Sequence, residues 1–222
     1  MSNLIAVTGF ANSGKTTLSI QLAQCFANDG YSVLLVFCDN ELPQKEYLIK
    51  DNSDDSLGKL LTASEISEKS IMKAITLISD DFGILGYNKG EKAEDYPTLT
   101  KTGIDNFISE ISKLCDYAIF DVQNKERLIF TALKSSGAKV VHITESTIKN
   151  IVRFKNASAL WTDIAVLNNY YKGQVLGTEY VNNGIVVPHS DEVFKNFEDL
   201  NAFKIIKDKA YMKAISEIKK EI

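Results

Sequence analysis

The chain has 222 residues, 45% apolar and 24% charged, with a formal net charge of −4, a length suited to one domain around a substantial core. No apolar run nears the roughly 18 residues of a membrane span, and the opening residues lack the basic segment of a secretion signal, so neither spanning nor export is expected. Cys25, Cys38 and Cys115 are isolated, which suits a reducing cytoplasm better than a disulfide or paired-ligand metal framework, while two histidines and two arginines leave little for imidazole chemistry or a generally nucleic-acid-binding surface.

Leu4 to Thr8 is a short apolar run closing on a glycine, the pattern of a buried parallel strand that feeds a loop. From Thr16 the period becomes helical: Leu18, Leu22, Cys25 and Phe26 share a stripe, and Asn28-Asp29-Gly30 ends it. Ser32 to Cys38 reads as a second buried strand, which completes a right-handed βαβ unit. Between Asp39 and Thr102, polar stretches at Asp51 to Ser56 and Lys89 to Asp95 predict variable loops around one helix near Ser67 to Ile78. The stripe Ile104, Phe107, Ile108, Ile111 and Leu114 predicts a helix leading into Tyr117 to Asp121, a third buried strand that ends in an acid. Strand-like runs at Lys139 to Thr144 and Asp163 to Leu167 flank a helical pattern carried by Ile148, Ile151, Val152, Lys155 and Ala159.

This alternation predicts an α/β fold of three layers, α/β/α, with a mostly parallel central sheet, doubly wound, as a single domain over residues 1–222. The tail from Asn201 to Ile222 alternates apolar residues with lysines. Because Asp208, Glu217 and Glu221 interrupt its basic face, it is expected to be an amphipathic helix packed on the domain rather than one lying on a membrane. The basic residues Lys149, Arg153 and Lys155 are read as a solvated helix face, with contact to DNA or to a protein partner as the alternative. Trp161, Tyr170 and Tyr171 are read as packing residues.

Gly9-Phe10-Ala11-Asn12-Ser13-Gly14-Lys15-Thr16 matches the phosphate-binding pattern G-x-x-x-x-G-K-[ST] in full and stands between a strand and a helix, as that mechanism requires. Backbone N–H groups from about Asn12 to Thr16, Ser13 and Gly14 included, converge at the start of a helix whose dipole favours an anion. Gly9 and Gly14 allow the close approach. Lys15 is placed to reach the β- and γ-phosphates, Thr16 to ligate Mg²⁺, and Thr17 to meet the α-phosphate. The further acid that such a site needs near the metal belongs at the end of a neighbouring strand, where Asp121 stands. Asp39 closes the second strand in the same way and could orient water or metal.

With these elements placed, the chain resembles the ParA/MinD family of P-loop ATPases, which includes partition, cell-division-site and pilus- or flagellum-positioning proteins. The segments that carry the resemblance are LIAVTGFANSGKTTLSIQLA, YSVLLVFCDN, CDYAIFDVQ, AKVVHITESTIKNIVRF, IAVLNN and VVPHSDEVFKNF. It implies ATP or ADP with Mg²⁺ as cofactors, Asp39 as the catalytic switch I aspartate, and Asp121 as the Walker B acid. It also implies Asn168 as the adenine-contacting asparagine, with Asn169 as its fallback, and Pro188 in the loop over the base. Two positions depart from the family pattern. Phe10 stands where the family's deviant P-loop has a signature lysine that reaches a dimer partner's phosphates, and Phe37 replaces the first acid of a D-x-D. The resemblance therefore implies an ATP-dependent switch and a nucleotide-dependent homodimer acting on a protein partner, with hydrolysis weakened by the missing cation. The alternatives are a nucleotide-binding scaffold with little turnover and an ATP-dependent ligase or kinase of the dethiobiotin-synthase-like branch.

Overall fold

The computed structural model describes residues 3–39, 41, 43, 45–49, 55–91, 96, 99–123, 127–158, 162–172 and 184–222. Ala159, Trp161 and parts of both polar stretches between Asp39 and Thr102 lie outside the described residues. The first strand, β1 (Asn3–Gly9), runs into α1 (Lys15–Asn28) and then β2 (Val33–Phe37). Three short helices follow: α2 (Lys45–Leu48), α3 (Leu57–Thr62) and α4 (Glu68–Ala74). Next come β3 (Thr76–Ser79), β4 (Phe82–Gly86), α5 (Lys101–Ile111), β5 (Tyr117–Asp121), α6 (Arg127–Ser135) and β6 (Lys139–Glu145). The chain closes with α7 (Ile148–Ser158), β7 (Ile164–Tyr170), β8 (Ile185–Pro188), α8 (Asp191–Glu198) and α9 (Lys209–Glu221).

These strands form one eight-stranded sheet in the order β3-β4-β2-β5-β1-β6-β7-β8. Every pairing is parallel except that of β3 with β4. Side chains of successive strand residues point to opposite faces, and here both faces are buried. Ile5 and Val7 of β1, Val33 and Leu35 of β2 and Ile119 of β5 join one core with Leu18, Leu22 and Phe26 of α1 and Ile215 and Ile218 of α9. Ala6, Leu34, Val36, Ala118 and Phe120 join the other, with Ile104, Phe107, Ile108 and Ile111 of α5 and Ile129 and Leu133 of α6. The expected α/β three-layer architecture is therefore the observed one, with β1, β2 and β5 buried on both faces as parallel strands must be.

Three sequence expectations are corrected. The segment from Asp39 to Thr102, read as loops around one helix, contains β3 and β4 and the helices α2, α3 and α4. Its helix stops at Ala74, and Thr76–Ser79 turns back as a strand against β4. The glycines of β4 have a packing reason: a Cβ at Gly83 would sit 2.6 Å from the Ile75 side chain, and one at Gly86 would sit 3.2 Å from Cβ of Phe37. The C-terminal helix begins at Lys209 rather than Asn201, because Asp208 caps it by accepting from the N–H groups of Ala210 and Tyr211 at 3.0 and 3.1 Å. Ala202 and Ile206, ahead of that cap, are buried in the same core as α9 without being helical.

Candidate nucleotide site

The loop between β1 and α1 is built for close approach. Gly9 ends β1 where a Cβ would lie 2.4 Å from the carbonyl oxygen of Ile143 on β6, so no larger residue fits. Gly14 has φ 85° and is the N-cap of α1, and a Cβ there would lie 2.2 Å from Nδ2 of Asn168. That left-handed conformation strains any residue with a side chain. Helix α1 starts with no side-chain cap and no acid in its first turn. Its first N–H groups and the positive end of its dipole are thus left facing the loop, the arrangement that receives an anion.

The side chains around this loop converge. Lys15 is nearly buried, and its Nζ donates to the carbonyl oxygen of Phe10 at 3.0 Å, so the ammonium lies folded over the loop. Burial lowers its pKa, against the opposing charges of Asp121 and Asp39. Thr16 Oγ1 donates to Oδ2 of Asp121 at 2.6 Å. Burial pushes the Asp121 carboxyl up to about 6, against the Thr16 hydrogen bond and the Lys15 charge, with Asp39 adding to the rise. Sheet register explains the meeting of these groups, since Asp121 pairs with Val7 of β1 on one side and with Phe37 of β2 on the other. Asp39, also buried, lies two residues beyond that level and accepts from the N–H of Glu41 at 3.0 Å and from Nε2 of Gln123.

A phosphate with a divalent cation fits this donor set. Ser13 Oγ is buried with no hydrogen-bond partner inside the loop, and the N-terminus of α1 is uncapped. No group of three or more His, Cys, Asp or Glu side chains that could hold a metal occurs among the described residues.

Beside Gly14 and Thr17 opens a cavity of about 290 Å³, walled by Asn168, Pro188, Val193 and Phe194, near the lower size limit for small-molecule sites. Asn168 lines it and donates from Nδ2 to the carbonyl oxygen of Ser13 at 2.9 Å, so this residue at the end of β7 braces the phosphate loop directly. Asn169 takes φ 57° and its Oδ1 lies 2.6 Å from Nδ1 of His189, whose Nε2 is 2.9 Å from Oδ1 of Asp191. The His189 ring stacks on Tyr171 at 4.4 Å between centroids. Glu145, at the end of β6, also lines the cavity. Burial raises its pKa, while a hydrogen bond from Asn169 opposes the rise.

Phe10 turns away from this cleft. It packs with Phe154 and Leu167, its ring 5.9 Å from that of His142, and the Arg153 guanidinium lies over it at 5.6 Å. His142 is buried between Phe10 and Phe154, and desolvation, with the Lys15 charge second, lowers its pKa to about 4.

The structure thus brings the loop residues Gly9, Ser13, Lys15 and Thr16 together with Asp121 and Asp39, while Asn12, Gly14 and Thr17 also line the cavity with Asn168 and Pro188. Sequence reasoning did not single out Gln123, Glu145 or His189. Gln123 comes level with Asp39 only through strand register, because it stands two residues beyond Asp121 as Asp39 stands two beyond the in-register partner Phe37.

Residues 4–185 match the CobQ/CobB/MinD/ParA nucleotide binding domain. The chain therefore belongs to that family, and it carries a ParA/MinD-type nucleotide-binding domain. Among solved structures it resembles the cell division ATPase MinD of Pyrococcus furiosus, with 21% identity, 100% of both chains covered and a TM-score of 0.77. The septum site-determining protein MinD of Pyrococcus horikoshii OT3, complexed with Mg-ADP, aligns at 17% identity over 99% of this chain and 97% of the other, with a TM-score of 0.74. A ParA family ATPase from Chlorobium tepidum TLS aligns at 13% identity over 97% and 96%, with a TM-score of 0.78. At these identities the likeness shows the fold. No curated protein sequence matches. Pro188 and His189 lie beyond the matched residues, whereas Asp39, Asp121 and Asn168 lie within them. Among the described residues no helix is long and apolar enough to cross a membrane.

Proposed function

We propose that this chain binds ATP and ADP with Mg²⁺ in the cleft between the β1–α1 loop and the β7–β8 edge. It would act there as a nucleotide-dependent switch whose output is positioning, partition or assembly. The observation that carries this reading is the bond between Thr16 and Asp121 at the uncapped start of α1, which sets a hydroxyl and a carboxylate beside a ready anion site. Thr16 and Asp121 would hold Mg²⁺, which when bound neutralises charge on the terminal phosphates. Lys15 would leave the Phe10 carbonyl for the β- and γ-phosphate oxygens, and Ser13 Oγ would gain the partner it lacks. Asp39, in the segment after β2, would respond to the γ-phosphate and pass its presence to the surface.

The MinD of Pyrococcus horikoshii that shares this fold is described with Mg-ADP, and a MinC:MinD complex of Aquifex aeolicus shares it at 14% identity with a TM-score of 0.72. The first is the model for nucleotide held with magnesium and the second for a separate protein partner, and the nucleotide-dependent homodimer is proposed from the family resemblance alone. Phe10 supports a second reading, a binding scaffold with little turnover, because its ring lies in an apolar cluster where the family presents a cation. Calorimetry with ATP and ADP in magnesium buffer, paired with solution mass in ADP and in a non-hydrolysable ATP analogue, tests the proposal. Nucleotide binding with dimerisation in the analogue alone is expected. Binding without any change of mass would favour the scaffold, and no binding at all would end both readings.

A further inference from the structure

The parallel register of β2 and β5 pairs Phe37 with Asp121, and the ladder continues through the N–H of Cys38 to the carbonyl of Asp121. Two residues further on, Asp39 and Gln123 come level, and Nε2 of Gln123 donates to Oδ2 of Asp39. The orientation of that amide follows from chemistry: an ionised carboxylate only accepts, so the atom facing it is the NH₂ group and Oε1 faces elsewhere. Gln123 is half-buried and directly follows the strand whose last residue, Asp121, is bonded to Thr16. Asp39 in turn feels the charge of both Lys15 and Asp121. The Gln123 amide and the Asp39 carboxylate are therefore held as a pair just beyond the strand ends that carry Asp121 and Phe37.

Resting on the ATP-binding reading above, we propose that Gln123 is the residue that positions the attacking water for ATP hydrolysis, acting as a unit with Asp39. A water that bridges Oε1 of Gln123 and the Asp39 carboxylate, beside their direct bond, donates one hydrogen to each, which leaves a lone pair for the γ-phosphorus. The water oxygen forms a bond to that phosphorus while the bond to the β–γ bridging oxygen breaks, and its electron pair departs with ADP. One water hydrogen stays on the released phosphate. The other passes to Asp39 and then to solvent. In P-loop enzymes with little covalent chemistry of their own, orienting this water is a principal contribution of the protein.

The test is phosphate release under saturating Mg-ATP for the wild type, Gln123→Ala and the isosteric Gln123→Glu, with ATP affinity measured calorimetrically and folding checked by thermal unfolding. For Gln123→Ala, kcat is expected to fall by about 10- to 100-fold, while the ATP Kd stays within about twofold because no ground-state contact to nucleotide is lost. Gln123→Glu keeps an acceptor oxygen but loses the N–H donor to Asp39, and a similar fall is expected from like-charge repulsion between the two carboxylates. A fall in kcat confined to Gln123→Ala with a weakened Kd would assign the residue to nucleotide binding and overturn the proposal. So would wild-type kcat in both variants, or a wild type that binds ATP with no turnover. A wild type that fails to bind ATP overturns the underlying site instead.

Discussion

The two ends of the cleft are made differently. At the phosphate end the groups come from nine consecutive residues, Gly9 to Thr17, and the distant acid bonded to them, Asp121, arrives by strand pairing with β1. At the cavity end the lining comes from widely separated segments, including Asn168 on β7, Pro188 on β8 and Val193 on α8. They meet only because β7 and β8 are neighbours at the far side of the sheet. Local backbone geometry therefore makes the anion site nearly self-sufficient, whereas whatever selects a base depends on long-range packing. Asn168 joins the two, with one amide group at the cavity wall and its N–H on the Ser13 carbonyl.

Substitutions can separate the two ends. The largest effect is expected for Lys15→Ala, which removes the ammonium lying over the loop and leaves the cavity untouched. ATP affinity measured calorimetrically should weaken by at least about 100-fold, more than for ADP, which lacks the γ-phosphate that Lys15 would reach. Comparable loss from a cavity substitution such as Phe194→Ala would invert the comparison.

Next is the acid stability that His142 controls, behind Phe10. Its folded pKa of about 4 lies below the ordinary 6.5, so the fold holds it neutral. Its contribution is fully present above pH 6.5 and is lost as pH falls toward 4, on the order of 3 kcal/mol across that window. Urea denaturation at pH 7, 5.5 and 4.5 should show this slope in the wild type and a flatter one in His142→Leu.

Asp121 behaves in the opposite sense. With a folded pKa raised to about 6, its contribution to the stability of the nucleotide-free protein is present at low pH and lost as pH rises through 6. Mg²⁺ held there would need the ionised form, so proton and metal would compete. The magnesium-dependent part of ADP affinity should weaken by roughly tenfold per unit of pH below about 6, as read from titrations with and without magnesium at pH 7.5, 6 and 5.

The smallest effect is expected for Asn168→Ala. Losing a single hydrogen bond to the Ser13 carbonyl costs about 1 kcal/mol, roughly a fivefold loss of affinity shared equally by ATP and ADP. A loss seen only for adenine nucleotides and not for guanine nucleotides would show that Asn168 reads the base in addition to bracing the loop.

Much of this was legible in the order of residues. A buried strand, a glycine loop and a helix in direct succession specify their own geometry, because the turn at Gly14 and the free N–H groups of α1 arise within one short segment. The strands β1, β2 and β5 showed as apolar runs because both of their faces are covered. What tertiary structure alone decided were the features that depend on neighbours distant in the chain. β4 carries glycines that leave room for Ile75 and Phe37, packing that the chain order alone does not show. The pairing of Gln123 with Asp39 is set by the register of two strands 84 residues apart in sequence. Phe10 looked like a missing cation, and only the fold revealed its place against Phe154 and Leu167. Backbone torsion acts between adjacent residues and can be read along the chain, whereas strand register and side-chain packing join residues far apart and exist only once the sheet has closed.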